Sequence, residues 1–337
     1  MNSTKNNKNK ASELAILIIL AICAFASVAI VGFIVLFLFY TAVPTVAEIG
    51  FFDFIFGSVW DPKGTEVTYL CNYLMPDGSP IDFSNGWDSW SFCHECCGEE
   101  VPVIINETPL FGIRNLILTS FVGTFGAILI GVPIGILAAI ALAEILPKKV
   151  ALVVSPAVNL LAGIPSVVYG AVGVAIIEPW IRETFGLATG MTLLAAILVL
   201  SVMVLPTIIS VSSTSIRAVP KTYMEASLAL GLTKEASIYK IIVPAARSGI
   251  LTGVLLGLGR AIGEAMAIIL IAGNLANAPK LLEGARFLTT GIVAEFPYSD
   301  GFHRDVLFSI GAVLFVFILI INSLFYAVIK RMEKNNG

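Results

Sequence analysis

Six long apolar runs separate the polar segments of the chain, and each run is long enough to form a helix that crosses a membrane. An α-helix rises about 1.5 Å per residue, so about 20 apolar residues span the hydrocarbon core of a bilayer. The pattern therefore predicts an all-α integral membrane protein with about six transmembrane helices. The runs cover residues 14–40, 116–143, 151–177, 187–216, 250–272 and 306–329.

Glycine and proline are frequent within these runs. The second run contains Gly131 and Pro133, and the third contains Pro156 and Pro165. Both residue types are tolerated in membrane helices, because neighbouring helices satisfy the backbone groups that they free. Their presence does not argue against membrane-spanning helices here.

Composition supports the membrane prediction. Of the 337 residues, 57% are apolar and only 13% are charged, whereas a typical soluble domain has about 25% charged residues. The net charge of −3 is too small to indicate a nucleic-acid partner.

Lysine and arginine predict which side of the membrane each polar segment faces, because cytoplasmic segments are enriched in them. They flank the chain ends and lie between the fourth and fifth runs, so both termini and the 217–247 loop are expected in the cytoplasm. Residues 41–113 have eleven acidic residues and one lysine, which suits the outer side. The positive residues on which this orientation rests, including the pair after the second run, are Lys5, Lys8, Lys10, Lys148, Lys149, Arg217, Lys221, Lys234, Lys240, Arg247, Lys330, Arg331 and Lys334.

The first run could be taken for a signal peptide, but it is too long, and no break follows the small residues Ala24 and Ala26, so an uncleaved helix is expected.

This topology divides the chain into four parts. The parts are an N-terminus with the first helix (1–40), an extracytoplasmic segment (41–113), a transmembrane domain (114–329) and a cytoplasmic tail (330–337).

The extracytoplasmic segment carries a group of cysteines. Four cysteines in an oxidising compartment favour disulfides, with three alternative pairings. A metal site formed by the cluster at 93–97 is the second interpretation, although its ligand spacing only partly resembles a zinc knuckle, and free thiols are the third. The residues concerned are Cys71, Cys93, His94, Cys96 and Cys97.

Two charges lie inside the fifth run. Arg260 and Glu264 are the only charged residues between Ser248 and Pro279, and each costs about 2.5–3.5 kcal/mol at the bilayer centre. Four residues apart, they would share a helical face and could form a structural ion pair. The alternative is an anion site, because the guanidinium fork matches phosphate oxygens. Two G-x-x-x-G spacings would allow close helix packing around them; the glycines are Gly253, Gly257, Gly259 and Gly263.

The sequence of the 217–247 loop predicts two short helices joined by a glycine turn. Pro220 suits the start of a helix over 221–230, and Gly231 suits the left-handed residue after its end. Thr233 can cap a second helix, which Pro244 is expected to close. An ordinary amphipathic loop is the plainer interpretation.

This loop resembles the EAA motif of ABC importer permeases, in which E-A-A is followed by three residues, G, nine residues and I-x-L-P. The matching residues are Glu225, Ala226, Gly231, Ile241 and Pro244, with Ser227 and Val243 as two small departures. The strings GLGRAIGEAMAIILIAGN, LAGIPSVVYG and FFDFIFGSVWDP are similar to the PstC-type permeases of phosphate-specific ABC transporters. The resemblance runs from 11 to 331 except for 63–108, which looks like an insertion.

The resemblance implies a type I ABC importer permease in a prokaryotic cell membrane, not itself an enzyme. Its expected partners are a PstA-type permease, a dimer of PstB-type ATP-binding subunits and an extracytoplasmic PstS-type phosphate-binding protein. Glu225, Ala226, Gly231 and Pro244 would form the coupling helix that docks on the ATPase. Arg260 and Glu264 would lie on the path of inorganic phosphate.

A selectivity hypothesis follows from the two charges. Glu264 would pair with Arg260 at rest and, when unpaired, accept a hydrogen bond from protonated phosphate. Sulfate has no such proton at neutral pH and would be rejected.

Two other functions remain open. One is a permease for another oxyanion, such as molybdate or sulfate. The other is a channel, receptor or intramembrane enzyme. Motifs for enzymatic chemistry or cofactor binding (H-E-x-x-H, G-x-S-x-G, P-loop) are absent from the sequence, so no cofactor is expected.

Overall fold

The computed structural model describes residues 3–62, 66–68, 104–106 and 109–334. Within that part of the chain, helices dominate and four short strands occur. The strands are β1 (Trp60–Asp61), β2 (Glu66–Thr68), β3 (Ile104–Asn106) and β4 (Leu110–Phe111). The helices are α1 (Ser3–Ile49), α2 (Phe51–Phe56), α3 (Arg114–Ile140), α4 (Lys148–Ala162), α5 (Ser166–Val172), α6 (Glu178–Phe185), α7 (Leu193–Arg217), α8 (Lys221–Ala229), α9 (Lys234–Ser237), α10 (Val243–Ala245), α11 (Arg247–Ile262), α12 (Met266–Ile271), α13 (Leu288–Glu295) and α14 (Gly301–Lys334).

The prediction of an all-helical membrane protein with about six spans is confirmed. Four helices in the described part are long and apolar enough to cross a bilayer, and two bent helix pairs raise the number to as many as six. The four single spans are Leu17–Ile49, Arg114–Ile145, Leu193–Arg217 and Gly301–Ala327. The bent pairs are Lys148–Ala162 with Ser166–Phe185, at 96°, and Lys234–Ala245 with Arg247–Ile262, at 69°.

The break between α4 and α5 has a local cause. Gly163 ends α4, and Pro165 disfavours helical geometry at the preceding Ile164. Pro156, by contrast, lies within α4 without ending it. Tolerance of proline was therefore predicted correctly for Pro156 but not for Pro165, which begins a new helix in another direction.

Helix α7 lies at the centre of the packing, between α3 and α11. Ile208 of α7 is fully buried, and it reaches a glycine on each neighbour. A Cβ added to Gly135 of α3 would lie 2.8 Å from the Ile208 side chain, and one added to Gly257 of α11 would lie 2.9 Å away. The close approach predicted for Gly253 and Gly257 is confirmed, because only glycine lets α11 come this near to α7.

Helices α1 and α14 form a peripheral pair. Two edge-to-face aromatic contacts join them, Phe37 with Phe308 and Phe39 with Phe315. None of the most apolar part of the α1 span is buried by the rest of the chain. That surface is suited to lipid or to another membrane helix.

The four strands lie at or next to the two ends of the 63–108 segment, which resembles an insertion. β1 pairs antiparallel with β4, and β2 pairs antiparallel with β3. The chain therefore leaves and rejoins the helical domain at adjacent points, as expected of an insertion. The candidate disulfide or metal residues Cys71, Cys93, His94, Cys96 and Cys97 lie outside the described residues.

Candidate functional site

Arg260 lies in the last turn of α11, which ends at Ile262. A cation is favourable there because the C-terminal end of a helix carries partial negative charge. The side chain is partly buried, and in the described part of the chain it forms no ion pair or hydrogen bond. A partly buried guanidinium without an ion pair among the described residues thus lies at the end of α11.

The predicted pairing of Glu264 with Arg260 is wrong in this structure. The expectation assumed one helix over 250–272, but the backbone leaves helical geometry at Ala265, with φ −124° and ψ −47°. The spacing of four residues therefore no longer places both side chains on one face. Instead, Glu264 Oε1 accepts a hydrogen bond of 3.0 Å from the backbone N–H of Ala267, in the first turn of α12.

A contact from α13 holds the break between α11 and α12 in place. The Thr289 hydroxyl donates to the backbone carbonyl of Glu264 over 2.7 Å. Thr289 itself is buried, at 8% exposure. Glu264 is thus hydrogen-bonded twice: its side chain to α12 and its backbone carbonyl to α13.

The helix that follows the α4–α5 break packs against the helix that follows the α11–α12 break. A Cβ added to Gly170 of α5 would lie 2.9 Å from the Cα of Ala267, so α5 and α12 are in close backbone contact. Tyr169, the residue before Gly170, lies within electrostatic range of Arg260. Its hydroxyl donates to the Leu161 carbonyl at the end of α4, over 2.7 Å. Broken helices that meet in this way form ion and substrate sites in membrane transporters.

One side of the break is open. An added Cβ at Gly259 would meet no atom within 4 Å, and one at Gly263 would meet only the Gly259 carbonyl. Close packing was predicted for these two glycines, and within this chain it does not occur. The surface next to Arg260 therefore has room for a ligand or for the backbone of another subunit.

The 217–247 loop has the predicted helix–turn–helix form. Gly231 has φ +87°, the left-handed conformation expected after the end of α8. Its N–H donates to Leu228 O, and the N–H of Leu232 donates to Ser227 O. This is the Schellman arrangement, which satisfies the last carbonyls of a helix. Thr233 caps α9 by accepting a bond of 3.3 Å from the N–H of Ala236.

The loop is anchored on one side and exposed on the other. Ile238 and Ile242 pack with Ile216 in a buried cluster at the base of α3 and α7. On the opposite side, Glu225, Ala226 and the glycine turn are exposed. Exposed apolar side chains accompany them, namely Tyr223 at 51%, Leu228 at 46% and Leu230 at 81%. An apolar, exposed face on a well-anchored helix is typical of a docking surface.

Two residues of the loop differ from simple expectation. Ser227, where the motif has alanine, is buried, and its hydroxyl donates to Met224 O over 2.7 Å within the same helix. The substitution therefore leaves no unpaired polar group. Pro244 does not end the second helix. A π-helical turn at Ile238–Ile242 follows α9, α10 then includes Pro244, and the chain changes direction only after Ala245.

A polar network at the opposite end of the domain was not predicted. Glu295 accepts hydrogen bonds from Trp60 Nε1 over 2.8 Å and from the Arg286 guanidinium, and its other oxygen lies 2.9 Å from His303 Nε2. It thereby joins β1, the 272–287 segment, α13 and α14. The only sequence signal was a concentration of charged residues between the fifth and sixth runs.

Comparison with known proteins places these features in a family. The family described as "Binding-protein-dependent transport system inner membrane component" matches residues 131–334. The probable ABC transporter permease protein YqgH of Bacillus subtilis is 40% identical over 264 residues, covering 76% of this chain and 81% of that protein. The phosphate transport system permease protein PstC of Pasteurella multocida is 30% identical over 280 residues, covering 77% and 83%.

Solved structures agree on the fold. An inward-facing MetNI methionine ABC transporter chain covers 66% of this chain and 94% of its own length, with TM-score 0.50 and 23% identity. A chain of a bacterial ABC transporter that imports alginate covers 64% and 78%, with TM-score 0.51 and 19% identity. At these identities the likeness shows the fold alone.

Proposed function

This chain belongs to the binding-protein-dependent transport inner membrane components and is a PstC-type ABC permease, and from that premise we propose that it forms half of the path of an ATP-driven inorganic phosphate importer. The observation that carries the proposal is Arg260, a partly buried cation without an ion pair among the described residues, at the end of α11. The phosphate permeases among its relatives support the choice of anion. Phosphate would cross beside Arg260, on the open side of Gly259 and Gly263.

The energetic argument concerns charge. An arginine inside the membrane is costly, and such residues mark substrate paths when they face a protein-walled cavity. Without an ion pair, the guanidinium keeps its fork of donors for the oxygens of an anion. A passing phosphate would gain this interaction in a region where neither ion has full hydration.

Glu264 has a revised role in this proposal. Its Oε1 holds the start of α12, which leaves Oε2 as the acceptor for the proton of phosphate. Sulfate, which lacks that proton, would meet an unmatched negative charge. Selectivity would then depend on a carboxylate fixed by α12 and not on release from Arg260.

Coupling would use the exposed face of the 217–247 loop. Glu225, Ala226 and Gly231 would contact a PstB-type ATP-binding subunit on the cytoplasmic side, with Pro244 shaping the segment that returns to α11. The remaining partners would be a PstA-type permease in the membrane and an extracytoplasmic PstS-type binding protein. ATP hydrolysis would take place on the separate subunit.

Uptake in proteoliposomes containing the whole complex tests the proposal, with ATP inside and the binding protein outside. We expect ATP-dependent phosphate uptake in the wild type and its loss in Arg260→Ala, with partial retention in Arg260→Lys. Arg182→Ala is the control, because Arg182 is an exposed arginine of α6 whose guanidinium lies 4.0 Å from Glu178.

Competition with sulfate and molybdate separates phosphate from the other oxyanions. If unlabelled phosphate failed to compete while one of the others did, the proposed substrate would be wrong and the importer fold would stand. Full uptake by Arg260→Ala would instead show that Arg260 is structural.

A further inference from the structure

An open polar cavity that does not include Arg260 lies between α4, α7 and the segment that follows α3. Its volume is about 470 Å³, within the roughly 300–1,000 Å³ range of small-molecule sites. Four of its lining residues are polar, and the others are apolar. The polar residues are Lys148, Ser155, Asn159 and Arg217, and we call this site the basic cavity.

Two positive charges, those of the exposed residues Lys148 and Arg217, line the basic cavity. No acidic side chain is among the described residues that line it. Lys148 forms no ion pair or hydrogen bond with the described part of the chain. Arg217 donates one bond, from Nη2 to the Leu142 carbonyl over 2.9 Å. That bond orients the guanidinium and leaves most of its five donors free.

The other polar groups also supply donors. Asn159 Oδ1 already accepts a hydrogen bond of 3.1 Å from the Ser210 hydroxyl, so the amide N–H groups remain for a ligand. Ser155 adds a hydroxyl. Lys148, Ser155 and Asn159 are spaced by seven and four residues, which places them on one face of α4. A surface with cations and donors and no carboxylate is suited to an oxyanion.

The basic cavity is distinct from the Arg260 site, although α4 connects them. The last turn of α4 contains Leu161, whose carbonyl accepts from the hydroxyl of Tyr169, which lies within electrostatic range of Arg260. The cavity extends along α4 from Asn159, two residues before Leu161, to Lys148, which is thirteen residues, or about 20 Å of helix, from Leu161. Its two cations, Lys148 and Arg217, therefore lie at the end of the domain that carries the 217–247 loop.

We propose that the basic cavity binds a phosphate group. Arg217 would engage two of its oxygens with the planar guanidinium, and Lys148 would act as a second point charge. The group has two sources: free inorganic phosphate that has passed Arg260, or the head group of an anionic lipid, which basic pockets between membrane helices bind. The first source rests on the proposed function, and the second does not.

Binding measurements on the delipidated complex in maltoside detergent test the proposal. The probes are radiolabelled inorganic phosphate in equilibrium dialysis and phosphatidylglycerol in native mass spectrometry. Lys148→Gln removes one cation from the cavity, and Lys149→Gln removes the adjacent cation, which does not line it. Arg217→Gln is a second variant, which also loses the bond to Leu142.

We expect Lys148→Gln to weaken the binding of one probe at least about tenfold, as for a lost hydrogen bond between charged groups, and Lys149→Gln to leave it unchanged. Loss of phosphate binding assigns the site to the transported ion, and loss of lipid binding alone assigns it to a head group. If neither probe responded to Lys148→Gln, the proposal would be overturned. A wild type that shows the Lys148-dependent binding yet transports no phosphate would refute the proposed function and leave this site intact.

Discussion

Gly231 gives the sharpest test of the coupling role, because its conformation can be disturbed without a steric clash. Its φ of +87° is unfavourable for residues with a Cβ, and an added Cβ would meet no atom within 4 Å. Gly231→Ala therefore strains only the backbone. The left-handed region costs an L-residue about 1–2 kcal/mol, which lowers the population of the turn about 5- to 30-fold.

The chain provides a matched control in Gly186. It also has a left-handed φ, of +63°, and no atom within 4 Å of an added Cβ, but it follows α6 and not the loop. Gly186→Ala therefore imposes a similar strain elsewhere. Gly231→Asn should be milder than Gly231→Ala, because asparagine tolerates this conformation better than other side chains.

The assay compares ATP hydrolysis with phosphate uptake in proteoliposomes that contain the complete complex. We expect Gly231→Ala to lower uptake per ATP several-fold, Gly231→Asn to lower it less, and Gly186→Ala to leave it near the wild-type ratio. Wild-type coupling in Gly231→Ala, or equal loss in Gly186→Ala, would refute the argument that this turn transmits motion between subunits.

Three further variants test other parts of the structure. Ile208→Ala should lower the stability of the complex by about 2–5 kcal/mol, because it opens a cavity between three helices; thermal unfolding checks this, with the 65%-exposed Leu129→Ala as control. Glu295→Gln should cost about 1.5–3 kcal/mol by weakening charge-assisted bonds, seen as faster hydrogen exchange at the outer strands, whereas Glu283→Gln in an exposed pair should change little. Glu264→Gln should reduce the preference for phosphate over sulfate, because an amide nitrogen at the Oε2 position cannot accept the proton of phosphate and no longer repels sulfate; unchanged discrimination in competition assays would contradict the selectivity proposal.

The 217–247 loop was the most predictable part of the molecule. Its signals are local: a proline before α8, a glycine after it and a threonine before α9 each act on neighbouring backbone groups. Pro220, Gly231 and Thr233 lie where expected. Pro244 did not act as expected, since a proline within the first turn of a helix leaves no bond unsatisfied.

The candidate site was predictable in its residues but not in its geometry. Arg260 and Glu264 stood out because charges are rare in an apolar run. Their relation depended on whether the helix continued through Gly263, and periodicity cannot show where a helix breaks. Glu264 binds Ala267 because the first N–H groups of α12 need an acceptor once the break exists.

By itself, the sequence determined that this chain spans a membrane, about how many times, and where its surface loop turns, because hydrophobic length and capping act over a few neighbouring residues. Only the tertiary structure decided that two spans are broken, that Arg260 lies within electrostatic range of Tyr169, and that Glu295 joins Trp60 to Arg286 and His303. These contacts link residues far apart in the chain, and no local pattern specifies which distant partners packing will bring together.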